Sequence, residues 1–161
     1  MKPTLLFSSL LILFACNHSA EQNNSMQQRI DSLQTKLTTA YKPGFGEFMS
    51  SIQTHHAKLW WAGQHKNWQL ADFEMHEIME ATTAIQQYET DRKESKSIPM
   101  LQPALDSVNN AIQQKNTVLF NSSYTLLTNT CNACHQANNF AFNKVKIPSV
   151  NTFSNQDFEI K

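Results

Sequence analysis

Glycine is scarce in this chain, with three residues in 161, and proline is limited to five. So few turn-formers argue against a sandwich of short strands and favour long helices. A charge excess is also missing. Thirteen basic residues balance thirteen acidic ones, so the formal net charge is zero and the chain carries no electrostatic footprint for nucleic acid. The apolar run from Leu5 to Ala15 is short of the ~20 residues that a spanning helix needs. Cysteine is limited to Cys16, Cys131 and Cys134, so there is no second pair to complete a four-ligand zinc site.

The opening "MKPTLLFSSLLILFAC" has the layout of a secretory signal peptide: Lys2, an apolar run, then a small residue before Cys16. Its last four residues resemble a bacterial lipobox. That resemblance implies that 1–15 is removed and that Cys16 carries acyl chains, each buried methylene contributing ~0.8 kcal/mol to membrane binding. An ordinary signal peptide is the alternative. Lipidation implies a periplasmic, membrane-anchored protein, the outer membrane being favoured over the inner. Residues 16–25 are polar and aperiodic and read as a flexible tether.

Beyond the tether, apolar spacing predicts helices. Met26, Ile30, Leu33 and Leu37 form a stripe on a lead-in helix over 26–41, broken by Lys42-Pro43-Gly44. A second helix starts near Phe45, with Phe48, Met49, Ile52, His56, Leu59 and Trp60 on one face and Gly63 at its end. Asn67 caps a third, whose seam is Trp68, Ala71, Met75, Ile78, Thr82 and Ile85. Asp91 to Pro99 reads as a charged connection, and Glu74, Glu77 and Glu80 as a solvated face.

Pro103 opens a fourth helix with Leu105, Val108 and Ile112. A phase slip before Phe120 predicts a break at Lys115-Asn116, with Asn116 capping a fifth helix that carries Phe120, Tyr124, Leu127, Cys131 and Cys134. One long helix from Pro103 to Gln136 is the alternative. The expected fold is therefore all-α: an up-down four-helix bundle over 44–138, an N-terminal lead-in helix, and an irregular tail, 139–161, lying over the bundle.

Near the end of this pattern stands "TNTCNACHQAN", a C-x-x-C-H array of Cys131, Cys134 and His135. Cysteines three apart on a helix share a face. They suit two thioethers to the vinyl groups of one haem, and the adjacent imidazole suits the iron. Structural zinc, a redox dithiol and a plain disulfide compete with this reading. Zinc lacks ligands, a redox dithiol would follow a strand, and a disulfide leaves His135 unexplained.

A C-x-x-C-H on the last helix of a four-helix bundle resembles the class II cytochromes c, the cytochrome c-prime group. The segment "CNACHQANNFAFNKVKIPSVNTFSNQDF" also looks like a set of bacterial c-type cytochromes. The resemblance covers roughly Gly44 to Phe158 and is specific at Cys131, Cys134 and His135. It implies one covalent haem c with His135 as proximal ligand. Unlike the usual class II chain, this one has no arginine close behind the motif and continues well past it.

No Met or His follows His135, so a sixth iron ligand must come from upstream, unlike the class I arrangement. Candidates are Met49, His55, His56, His65, Met75, His76 and Met79. In an up-down bundle the end of the last helix lies beside the start of the first, which favours Met49, the position used in six-coordinate class II members. His56, two turns further along that face, is the alternative distal ligand. His55 is expected to be solvated. Trp60, Trp61 and Trp68 are expected mainly in the core.

The expected function is a membrane-anchored one-electron carrier with unidentified redox partners, not an enzyme. The alternative is a module that binds diatomic gases at an open sixth site, with Phe48, Ile52 and Trp60 as its apolar pocket.

Overall fold

The computed structural model describes residues 12–40 and 43–160. Residues 1–11 and the side chain of Cys16 lie outside the described residues, and with them the signal-peptide and lipobox expectations. The chain divides into two compact units, Met1–Lys42 and Pro43–Lys161. The fold is all-α, and no strand occurs among the described residues. No helix described here is long and apolar enough to cross a membrane.

Among the described residues the first unit holds one helix, α1, Ile12–Thr39. It begins well before Met26 and runs through 16–25, the stretch expected to be a tether. Polar side chains do not forbid a helix when no glycine or proline interrupts it. Local bonds such as Gln27 Nε2 to Asp31 Oδ1 at 2.9 Å add to it.

The second unit contains α2 (Phe45–Gln64), α3 (Trp68–Tyr88), a 3-10 segment (Lys93–Leu101), α4 (Gln102–Gln113) and α5 (Thr117–Ala137). α2 packs along α3, α4 along α5, α3 meets α4, and α2 meets α5. The expected stripes supply the core: Leu59 from α2, Met75, Ile78 and Ile85 from α3, Leu105 and Val108 from α4, Phe120, Tyr124 and Leu127 from α5. Full burial of such side chains contributes about 1.5–3 kcal/mol each.

Helix starts follow the sequence closely. Asn67 Oδ1 accepts from Leu70 N–H at 3.2 Å, and Asn116 Oδ1 from Leu119 N–H at 3.0 Å. Each side chain satisfies a donor that the first turn would otherwise leave open. α4 and α5 are separate, with the break at Lys115-Asn116, so the single long helix does not form.

The end of α2 falls at Gln64, one residue past the expected Gly63, but Gly63 does not make the turn. It lies inside the helix, buried, where a Cβ would overlap the ring of Phe120. The three reversals instead use Lys66, Lys115 and Asn139, with φ of 57°, 52° and 66°. All three are Schellman closures. After α2, Lys66 N–H reaches Gly63 O and Asn67 N–H reaches Ala62 O. After α4, Lys115 N–H reaches Ile112 O and Asn116 N–H reaches Ala111 O. After α5, Asn139 N–H reaches Gln136 O and Phe140 N–H reaches His135 O.

Two further expectations are corrected. The charged connection is an ordered 3-10 segment that buries Ile98, Leu101 and Glu94. Glu74, placed on a solvated face by sequence, is 1% exposed and belongs to the interior of α3. The tail is irregular and packs on its unit, with Phe158 buried and its carbonyl accepting from Asn67 Nδ2 at 3.3 Å.

Candidate functional site

The stripe that fixes α5 in the core also carries the motif. Phe120, Tyr124 and Leu127 are buried; one and two turns on, Cys131 is half-buried and Cys134 buried. Both line a cleft of about 310 Å3 with His135 on the last turn. α2 contributes Phe45, Met49, Ile52 and His56, and the 3-10 segment contributes Ile98 and Leu101. The tail closes one wall with Phe140 and Val145. Arg92 and Glu94 add a charged pair, Arg92 Nε lying 3.3 Å from Glu94 Oε2 and its guanidinium over the Phe45 ring. Cofactor clefts of ~300–1,000 Å3 are typically apolar with a few convergent polar groups, as here.

The two thiols are free and not joined. Burial, with the neighbouring Cys134 charge, pushes the Cys131 thiol up to about 12, and burial pushes Cys134 up as well. A redox dithiol works through a thiolate stabilised well below the ordinary thiol range. These thiols are shifted the opposite way. A thioether has no such penalty, because it carries no proton to lose.

His135 Nδ1 donates to the main-chain carbonyl of Asn143 at 2.6 Å. That bond fixes the tautomer, so Nε2 keeps its lone pair, and Nε2 has no hydrogen-bond partner among the described residues. Metal-bound histidines need such an outer partner. The sequence offered no sign of this one, because it is a backbone atom.

Of the seven upstream candidates, Met49 and His56 line the cleft. Met49 is half-buried on the first turns of α2. His56 is buried with both ring nitrogens engaged: Nε2 lies 3.0 Å from Thr128 Oγ1 and Nδ1 2.9 Å from the Tyr124 hydroxyl. Each hydroxyl also donates to a main-chain carbonyl, Thr128 Oγ1 to Tyr124 O at 2.9 Å and the Tyr124 hydroxyl to His56 O at 2.7 Å. Burial lowers His56 to about 4 and keeps it neutral, so the ring donates from one nitrogen only. A bond to iron would break one of these contacts.

The remaining candidates lie elsewhere. Met75 is fully buried core and Met79 packs against the core; His65 and His76 are exposed, and His76 Nδ1 bonds Asp72 O at 2.8 Å. His55 is not free in solvent. Its Nδ1 is 2.6 Å from buried Glu74 and its Nε2 is 3.8 Å from Glu77. Trp60 stacks on Phe120 and lies tilted against Tyr124, Trp68 meets Phe120 edge-on, and none of the three tryptophans lines the cleft. Phe48 and Trp60, expected in a gas pocket, are also absent from its lining; Ile52 is present.

Among the described residues no group of three His, Cys, Asp or Glu side chains is arranged to hold a bare metal ion. The donor set nonetheless fits haem, which would take the two thiols at its vinyl groups and His135 Nε2 at its iron. Comparisons with protein-family models, with curated proteins and with solved structures find no match to this chain.

Proposed function

We propose that this chain is a monohaem c-type cytochrome of the class II type, its second unit an up-down four-helix bundle and its task one-electron transfer rather than catalysis. The bundle reading is supported by the closed circuit of helix contacts, α2 to α3 to α4 to α5 and back to α2. One observation carries the functional reading: Cys131, Cys134, His135 and Met49 line the same cleft, with the His135 ring already held at Nδ1.

In this reading Cys131 and Cys134 would hold haem through thioethers to its two vinyl groups, each S–H adding across one C=C with no atom lost. His135 Nε2 and the Met49 thioether would be the chain's donors to the iron. Phe45, Ile52, Ile98 and Leu101 keep water from the cleft. Bound haem supplies a one-electron couple, and a Met/His pair raises its potential. His56 holds Tyr124 and Thr128 in place and is the weaker distal candidate. Lipidation of Cys16 would hold the carrier at the periplasmic face of a membrane, the outer membrane by preference, close to its redox partners.

The test is an absorption spectrum, oxidised and reduced, of protein matured with a haem-attachment system. The expected outcome is a covalently coloured, low-spin protein with no thiol at 131 or 134 open to alkylation. A colourless product with both thiols reactive would overturn the reading. A coloured but five-coordinate high-spin product would instead leave the sixth site to a diatomic gas, for which the apolar cleft wall is suited.

A further inference from the structure

The tail turns back on the ligand turn through bonds that converge on two residues. Asn132 stands one turn before His135 on α5, so the two side chains share a face. Asn132 Nδ2 donates to Val145 O at 2.8 Å, and Val145 N–H donates to Asn132 Oδ1 at 2.8 Å. This reciprocal pair treats the side-chain amide as a short strand, clasping the tail to the helix. Between the clasp and the helix end, Phe140 N–H bonds His135 O at 2.7 Å and Asn143 N–H bonds Phe140 O at 2.8 Å. The loop so closed delivers the Asn143 carbonyl to His135 Nδ1.

We infer that Asn132 is a positioning residue for His135: by holding Val145, it keeps the Asn143 carbonyl on the imidazole and so sets the ring's orientation and donor strength toward iron. The inference rests on the proposed haem function. An Nδ1–H given to a carbonyl makes the ring a stronger donor. A stronger donor favours the more highly charged, oxidised iron, so the clasp lowers the reduction potential. Without the clasp the loop gains conformational freedom, water competes for the carbonyl, and the ring turns about its own bond.

The experiment compares holoprotein carrying Asn132→Ala, Asn132→Leu or Asn143→Ala with the unaltered chain. Reduction potential is read by spectroelectrochemistry, and amide hydrogen exchange is followed over 140–147. Both Asn132 variants should raise the potential by about tenfold in the oxidised-to-reduced ratio, or about 59 mV for one electron, and should speed exchange at Val145. Asn143→Ala keeps its main-chain carbonyl and should leave the potential unchanged. Leu keeps the branched shape of Asn132 without its hydrogen-bonding groups, so it reads the clasp even if Ala loosens α5.

A coloured Asn132 variant with unmoved potential and faster exchange at Val145 overturns the inference while leaving the haem assignment intact. An equal shift in Asn143→Ala also overturns it, because general loosening of the loop would then suffice. A colourless unaltered chain removes the haem assignment first, and this inference with it.

Discussion

The hydroxyl of Tyr124 lies 2.9 Å from Nδ1 of His56 and 2.7 Å from that residue's own carbonyl oxygen. A residue of α5 thereby meets the ring and the backbone of one α2 position together, beside the cleft that His56 lines. The consequences for His56 and for the iron can be separated.

His56 is held neutral in the folded protein, at about 4, against 6.5 for the free side chain. Between those values the unfolded chain binds a proton that the folded one does not. Stability should therefore fall as pH drops from 6.5 to about 4, each unit of separation being worth ~1.36 kcal/mol at most. Denaturant unfolding of the haem-free chain, against His56→Gln, measures this. The variant should be less stable at pH 7 and should show a shallower loss across that interval.

Met49 and His56 give opposite spectra if Met49 is the ligand. Met49→Ala should convert the holoprotein to high spin, lower its potential and open it to rapid carbon monoxide binding. His56→Gln should leave the low-spin spectrum in place. The reverse pattern would assign the iron to His56.

Glu74 is a buried carboxylate whose nearest base is His55, at 2.6 Å. Removing that partner leaves a buried carboxyl without its hydrogen bond. His55→Ala should cost about 2 kcal/mol by urea unfolding, while Glu77→Ala, whose contact with His55 is 3.8 Å, should cost little.

The Phe120 ring occupies the space that a Cβ on Gly63 would need. Gly63→Ala should destabilise by about 1–3 kcal/mol through overpacking. Phe120→Leu added to it should restore part of that loss, a coupling that a double-mutant cycle reads directly.

Lys66 and Lys115 adopt left-handed backbone without glycine's freedom. Relief of that strain exceeds glycine's extra chain entropy, so Lys66→Gly and Lys115→Gly should each raise stability by about 0.5 kcal/mol. Asn139→Gly should gain less, because asparagine tolerates that region.

Much of this fold could be read before the structure because its helix starts are marked by side chains. Asn67 and Asn116 stand just ahead of apolar stripes, and a short polar cap there has few other uses. Helix ends were less legible. Lysine gives no sign that it will take a left-handed turn, and Gly63 imitated an end while providing a close approach. The 3-10 segment was hidden because the charged run from Asp91 to Lys96 carries no apolar stripe, although Ile98 and Leu101 stand three apart just beyond it. Glu74 was misplaced because spacing by three on a helix does not say which face is covered.

In the candidate site, Cys131, Cys134 and His135 announced themselves, and Met49 followed from the expected helix order. The carbonyl of Asn143 could not be anticipated, since every residue has one and only the path of the tail selects it. His56 is enclosed as its place on the apolar stripe of α2 implied, whereas the pairing of His55 could not be read, because its partner Glu74 lies on another helix and was itself expected in solvent.

Asn67 and Asn116 each sit at two junctions at once. The backbone amide of each finishes one helix, and the side chain of each begins the next. Fraying at the close of α2 therefore also exposes the opening turn of α3, and α4 and α5 are linked in the same manner. Each pair should open as a hairpin rather than residue by residue, so amides flanking these two asparagines should exchange with matched rates.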